Sequence, residues 1–243
     1  MKPIRVESPD LRLGATLGDL QSMVDAAVAA ARGLDPLTIV GHSGAGFLLP
    51  FIAEELGSSC RLCFVDAGVP EAEGESTPSR DFLEQLRQKA VNGVLPKWST
   101  WWGAEVVESL IPDVERRAEV ELELPNVSLS LYERLVRIPP NWRARLCSYI
   151  LLSEGYRNDA TLAESMGWSV ATRLGGHLDL VNTPHEIGET ILELASVDAH
   201  MPSDSAFWGR VHHLVGAGVC GCPPARPDGQ FQRCPFVFHD VCL

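Results

Sequence analysis

The sequence lacks any hydrophobic run long enough to cross a membrane, and its start has no apolar core of the kind found in secretory signals. It also lacks a basic cluster, and its formal net charge of -12 argues against a nucleic-acid footprint. These absences exclude membrane-spanning and nucleic-acid-binding proteins. We therefore expect a cytoplasmic protein with neither membrane nor nucleic acid among its partners.

The seven cysteines do not form the framework of a secreted, disulfide-bonded domain. Cys60, Cys63 and Cys147 lie in strand-like segments, whereas the other four lie close to the C-terminus. The C-terminal group superficially suggests zinc ligands and consists of Cys220, Cys222, Cys234, His239 and Cys242. Because the usual paired C-x2-4-C spacing is absent, we predict no metal site and no cofactor.

The composition fits a globular protein with one sizeable core. The chain has 243 residues, of which 45% are hydrophobic and 21% are charged. This length suffices for one α/β domain, or for a domain with an appendage.

The most informative stretch is LTIVGHSGAGFLLPFIAEEL, residues 37–56. It predicts a buried strand over 37–40, a sharp turn, and a helix over 46–56 that Gly57 ends. Ser43, between small residues, is typical of a nucleophile elbow, and the Gly44 amide would then face an oxyanion. The strict G-x-S-x-G pattern is not met, because Ala45 stands where the last glycine belongs and Gly46 follows. An ordinary glycine-rich turn is the alternative.

The remaining pattern predicts alternating strands and helices on both sides of a helical insertion. Strands are expected over 4–7, 61–65, 146–152 and 168–172, and helices over 17–32, 80–91, 104–110, 114–124, 160–166 and 184–194. Short joints between strand, helix and strand predict parallel pairing. We therefore assign residues 1–70 and 143–197 to an α/β core, 71–142 to the insertion (starting with a polar loop over 71–79), and 198–243 to an irregular tail.

A hydroxyl nucleophile needs a base, and seven histidines are available. Only His177 lies in a glycine turn between a predicted strand and the last helix, which places it at the same sheet edge as Ser43. A turn histidine without a role is the alternative. His42 adjoins Ser43, but side chains of successive elbow residues diverge, so we expect a packing or oxyanion-loop residue.

Several carboxylates could orient the base. Asp66 ends the strand after the elbow helix, while Glu154 and Asp159 follow the strand over 146–152. Asp66 could instead be a helix or loop cap, and Asp159 could be the N-cap of a helix that begins near Ala160.

The order of these motifs resembles the α/β-hydrolase superfamily. The GHSGAG elbow, a strand ending in VDAGVP, KWSTWWG in the insertion and GGHLDL before the last helix are most similar to its small bacterial branch, over residues 4–195. The resemblance implies a mostly parallel sheet flanked by helices, with 71–142 as a helical cap. It implies an esterase-like serine hydrolase in which Ser43 is the nucleophile, His177 the base and the Gly44 amide an oxyanion donor.

Two departures from the family pattern bear on this function. The acid usually lies in a G-x-x-D turn after the penultimate strand, where this sequence has Ser153-Glu154-Gly155-Tyr156, with tyrosine at the acid position. Some members take the acid from the position of Asp66, so Asp66 is favoured and Asp159 is second. Members also have about three earlier strands and a loop with a second oxyanion amide, and residues 1–36 show no such loop. Exposed sheet edges would then allow a homo-oligomer.

The resemblance also brings a tryptophan-rich segment near the elbow. Trp98, Trp101 and Trp102, together with His42, would line a pocket for a small-molecule ester or acyl substrate, unless the tryptophans form only the core of the cap. Two other functions stay open: a non-catalytic or truncated relative that acts in binding, and a dinucleotide-binding protein that uses the glycines near Ser43 with Asp66.

Overall fold

The computed structural model describes residues 5–57, 60–195 and 241–242. Its strands are β1 (Leu37–His42), β2 (Cys60–Val65), β3 (Gly74–Ser76), β4 (Val94–Leu95), β5 (Val127–Ser128), β6 (Val136–Ile138), β7 (Cys147–Leu151), β8 (Ser169–Thr172) and β9 (Val241–Cys242). Its helices are α1 (Arg12–Leu17), α2 (Leu20–Ala31), α3 (Leu49–Leu56), α4 (Arg80–Lys89), α5 (Ala104–Leu110), α6 (Val114–Glu123), α7 (Ser130–Glu133), α8 (Arg157–Ser165), α9 (Asp179–Asn182) and α10 (Pro184–Ala195).

The main sheet has the strand order β8-β7-β2-β1-β9. The first four of these strands are parallel, and β9 pairs antiparallel with β1. In the register, Val65 at the end of β2 lies between His42 of β1 and Ile150 of β7. The carboxyl ends of the three central strands therefore meet at one edge, where open α/β sheets place their functional groups.

Helices cover this sheet, which explains why its central strands are continuous apolar runs. Helix α3 packs against β1 and β2, α8 against β7 and β8, and α10 against β2 and β7. Ile39, Leu62 and Phe64 are completely buried. The structure thus confirms an α/β protein, with the parallel strands expected over 37–40, 61–65, 146–152 and 168–172.

Most helix predictions are also confirmed, with shifts at their ends. The helix expected over 17–32 is α2, which begins three residues later because Asp19 caps it by accepting from the amide of Gln21. Helix α1 lies before it and was not predicted; Gly18, with a left-handed φ of 69°, ends α1. The helix expected over 160–166 begins at Arg157 instead. Asp159 is therefore a first-turn residue rather than the N-cap.

The segment between β2 and β7 contains α4 to α7 and two short antiparallel strand pairs. Ser79 caps α4 by accepting from the amide of Phe82, as expected. The prediction of a loop throughout 71–79 is wrong, because residues 74–76 form β3 against β6. Only three exposed or half-buried residues form β3, so the sequence carries no alternating apolar signal for it.

Two predictions concern the chain ends. Residues 5–7 form no strand, and Ile4 lies outside the described residues. Of the tail over 198–243, only β9 is described, and its backbone pairs with Val40 and Gly41 rather than lying apart from the sheet. None of the helices in the described ranges has the length and apolar character needed to cross a bilayer.

Candidate functional site

Ser43 follows β1 directly and begins a 3-10 turn, Ser43–Leu48, that continues into α3. Its φ of 54° lies in the left-handed region, which a residue other than glycine rarely adopts. Its exposed fraction is 1%. The amide of Gly44, the next residue, belongs to the first turn of this helical segment, where amides have no intrahelical acceptor.

Two glycines make this turn possible. A Cβ atom at Gly41 would lie 3.0 Å from the Ala45 carbonyl oxygen, and one at Gly46 would lie 2.9 Å from both the Ala67 Cβ and the Gly68 carbonyl oxygen. Gly46 is therefore the position at which the elbow meets the loop after β2. This contact leaves no room for a side chain at position 46, one residue after the last glycine of the strict G-x-S-x-G pattern.

Asp66 follows β2 and also adopts a left-handed conformation, with a φ of 43°. Its carboxylate is completely buried. Oδ1 accepts from the amides of Leu152 and Ser153 at 2.8 and 2.9 Å, and Oδ2 accepts from the Ser153 hydroxyl. These donors compensate the desolvation of the carboxylate.

His177 joins the two residues. Its Nδ1 lies 2.7 Å from Asp66 Oδ2, and its Nε2 lies 3.1 Å from Ser43 Oγ. Because a carboxylate can only accept, we assign the ring proton to Nδ1, so that Nε2 accepts from the Ser43 hydroxyl. The structure thus brings together the three residues that the sequence singled out as nucleophile, base and favoured acid.

Asp159, the second choice for the acid, has a different contact. Its Oδ1 accepts from the amide of Val69 at 3.0 Å, so it supports the loop after Asp66. Asp66 and Ser43 already occupy both ring nitrogens of His177. Of the two candidate carboxylates, Asp66 is therefore the one that contacts His177.

His42 packs against the same histidine from the β1 side. Its Nε2 donates to the His177 carbonyl oxygen at 2.8 Å, and the two ring centroids are 4.6 Å apart. His42 is 6% exposed. It fixes the His177 turn, as expected of a packing residue, and its place in a substrate pocket stays a prediction.

Tyr156 is a site residue that the sequence analysis did not assign. Its hydroxyl lies 3.2 Å from Ser43 Oγ, and its ring stacks on that of His177 with centroids 5.1 Å apart and an interplanar angle of 12°. The only signal for it in the sequence was its location in the turn after β7.

The tryptophans of the segment between β2 and β7 have mainly local contacts. Trp98 and Trp101 are buried, Trp101 Nε1 donates to the Pro96 carbonyl oxygen, and Lys89 Nζ lies 5.3 Å from the centroid of the Trp102 ring. These contacts fit the alternative in which the tryptophans form a core of their own. Their role in a substrate pocket stays a prediction.

Within the described residues, no group of three or more His, Cys, Asp or Glu side chains lies close enough to hold one metal ion. The tail residues with zinc-like spacing lie outside the described residues, except for the backbone of Cys242. Elsewhere the cysteines are poor ligands and nucleophiles, because burial raises the pKa of Cys63 to about 11 and that of Cys147 to about 12.

Comparison with known proteins does not identify the chain: no protein-family model matches it, and no curated protein matches it.

The close approach at Gly46 predicts a loss of stability on adding one methyl group. We expect Gly46→Ala to lower the free energy of unfolding by about 1–3 kcal/mol, because the new Cβ meets Ala67 and the Gly68 carbonyl. A thermal melt would show a fall of about 2–4 °C per kcal/mol. Gly68→Ala is the matched control, since its Cβ would meet nothing within 4 Å. Equal melting temperatures for the two variants would contradict the close approach.

The buried thiol of Cys63 predicts a lack of alkylation in the native protein. With a pKa of about 11, only about one Cys63 thiol in a thousand is a thiolate at pH 8. We expect the Cys63 peptide to stay unlabelled after native treatment with iodoacetamide and to react fully in guanidinium, as quantified by peptide mass spectrometry with two isotopic labels. Rapid native labelling of this peptide would show that the β2 core is open to solvent.

Proposed function

We propose that this protein is a serine hydrolase of the α/β-hydrolase type that cleaves ester bonds by acyl transfer to Ser43. One observation carries the proposal: an unbroken line of hydrogen bonds runs from Ser43 through His177 to Asp66 at the carboxyl edge of a parallel sheet. The chain order of serine, acid and histidine is that of α/β-hydrolases.

Acylation begins when Ser43 Oγ attacks the carbonyl carbon of the ester. The Oγ–carbon bond forms, the π electrons of the carbonyl move to its oxygen, and the hydroxyl proton passes to His177 Nε2. The intermediate then collapses, the bond to the leaving alkoxide breaks, and Nε2 returns its proton to that oxygen. An alcohol departs and the acyl group stays on Ser43.

Deacylation repeats the same steps with water. His177 Nε2 takes a proton from water, whose oxygen attacks the acyl carbon. The bond to Oγ then breaks, Ser43 recovers its proton, and a carboxylic acid is released. Throughout both halves Asp66 accepts from Nδ1–H and stabilises the imidazolium, and the Gly44 amide donates to the oxyanion.

Backbone strain at the site supports this assignment. Ser43 and Asp66 both have left-handed φ values, which cost about 1–3 kcal/mol each for residues other than glycine. Such strain persists where surrounding structure holds it, and it clusters at active sites. Here it aims both side chains at His177 from the ends of neighbouring strands.

The segment between β2 and β7 supplies the remaining proposals. We assign residues 71–142 the role of a cap and its tryptophans that of an apolar wall for a small ester or acyl substrate. A dinucleotide site is the weaker alternative, because both oxygens of Asp66 already accept protein hydrogen bonds and are not open to a ribose hydroxyl.

The decisive test is labelling with a fluorophosphonate, which reacts only with an activated serine. We expect the wild-type protein to be labelled and to hydrolyse a short p-nitrophenyl ester, and Ser43→Ala to lose both properties because no nucleophile remains. His177→Ala should lower kcat by a factor of about 10⁴–10⁶, since the base is missing.

Circular dichroism and a thermal melt should show that both variants keep the native fold. A folded wild-type protein without labelling or hydrolysis would contradict the proposal and favour the non-catalytic relative.

The two candidate acids can be separated by matched substitutions. We expect Asp66→Asn to lower kcat by about 10⁴, because the amide favours the wrong tautomer of His177. Asp159→Asn should leave kcat within a few-fold of the wild type, since Asp159 contacts the Val69 amide instead. Steady-state ester hydrolysis measures both, and a larger loss in Asp159→Asn would reverse the assignment.

A further inference from the structure

The Tyr156 hydroxyl occupies a position that the mechanism above does not use. It lies 3.2 Å from Ser43 Oγ, its side chain is 5% exposed in total, and its ring lies flat on the His177 imidazole. A tyrosine that only packed against His177 would not need a hydroxyl at the nucleophile. Its polar atom therefore calls for a function.

The hydrogen-bond network fixes the direction of this contact. Asp66 accepts from His177 Nδ1–H, so His177 Nε2 is the acceptor for the Ser43 hydroxyl proton. Ser43 Oγ has then given its only proton and can only accept from a neighbour. It follows that Tyr156 donates its proton to Ser43 Oγ in the resting site.

Nucleophilic attack changes what this donor can bind. Once Oγ is bonded to the substrate carbon it is a weaker acceptor, and the negative charge lies on the former carbonyl oxygen attached to the same carbon. We propose that Tyr156 is a catalytic residue whose hydroxyl then donates to this oxyanion, alongside the Gly44 amide. This inference rests on the proposed hydrolase function.

This added hydrogen bond leaves the proton and electron transfers of the acylation unchanged. Tyr156 shares its proton in a hydrogen bond and does not transfer it. The Oγ–carbon bond forms, the electron pair moves to the carbonyl oxygen, and the serine proton goes to His177 Nε2, as before. When deacylation breaks the bond between Oγ and the acyl carbon, Tyr156 donates to Ser43 Oγ again. A contact that strengthens only in the transition state raises kcat rather than substrate affinity.

The local structure holds the tyrosine in place. Tyr156 ends a short 3-10 turn, Glu154–Tyr156, which two residues separate from the end of β7. Ser153, the residue before this turn, donates to Asp66 through both its amide and its hydroxyl. The ring of Tyr156 is fixed from the other side by its stacking on His177. A donor held in this way needs little reorganisation during the reaction.

The oxyanion still needs a second hydrogen-bond donor besides the Gly44 amide. The described residues before β1, 5–36, form two helices and no strand. They therefore contain no loop after a strand that could supply a second amide to the oxyanion. The Gly44 amide alone would be half of the usual pair. Removal of one such donor typically costs about 10²–10³ in kcat.

The test is Tyr156→Phe, which keeps the ring and its stacking and removes only the hydroxyl. We expect kcat for p-nitrophenyl ester hydrolysis to fall by about 10²–10³ with KM changed less than threefold and the melting temperature close to that of the wild type. Tyr132→Phe is the matched control, since Tyr132 is also buried and packs on Phe82 in the segment between β2 and β7. It should keep wild-type kcat.

A transition-state analogue supplies the second readout. Phenylboronic acid forms a tetrahedral adduct on an active serine, so its Ki should rise in Tyr156→Phe by a factor similar to the loss of kcat. The Ki of the product carboxylate should rise far less. Wild-type kcat in Tyr156→Phe, or a higher kcat that marks the hydroxyl as an obstruction, would overturn this inference while leaving the hydrolase proposal intact. An inactive, unlabelled wild-type protein would instead overturn the proposed function itself.

Discussion

The site depends on the completely buried carboxylate of Asp66. A carboxylate without partners at such a position would be strongly destabilising, and here two backbone amides, one hydroxyl and one imidazole N–H donate to it. These donors come from the end of β7 and from the turn that carries His177. Satisfying one buried group therefore fixes the relative positions of two strand ends and the histidine.

The parallel sheet makes this convergence possible. The pairing of β2 with β7 continues past its last register position, because the Asp66 amide donates to the Ile150 carbonyl oxygen at 2.7 Å. The β1–β2 pairing likewise aligns His42 with Val65, so Ser43 and Asp66 leave neighbouring strands at the same level. The left-handed residues at these two strand ends then both direct their side chains to His177.

Sequence patterns suffice for the parts of the structure that rest on local signals. Apolar runs predict β1, β2 and β7, and the small residues around Ser43 predict the turn after β1. The positions of Asp66 and His177 at strand ends then predict their meeting at one edge. In contrast, the hydroxyls of Ser153 and Tyr156 reach the site through long-range geometry, and nothing in their local sequence indicates a partner 87 or 113 residues away. The short β3–β6 pair is missed because each strand has only three residues, and among these six residues only Ile138 is buried.

The turn after β7 links the stability of the site to its proposed chemistry. Its first residues hold Asp66, and its last residue, Tyr156, contacts both Ser43 and His177. A change in the backbone of this turn would therefore displace the acid and the tyrosine together. Side-chain changes need not do so, since the Ser153 amide still holds Asp66 when a side chain is shortened, and the Tyr156 ring still stacks when its hydroxyl is removed. The separation of backbone support from side-chain chemistry is what allows the contribution of each hydroxyl to be measured in a folded protein.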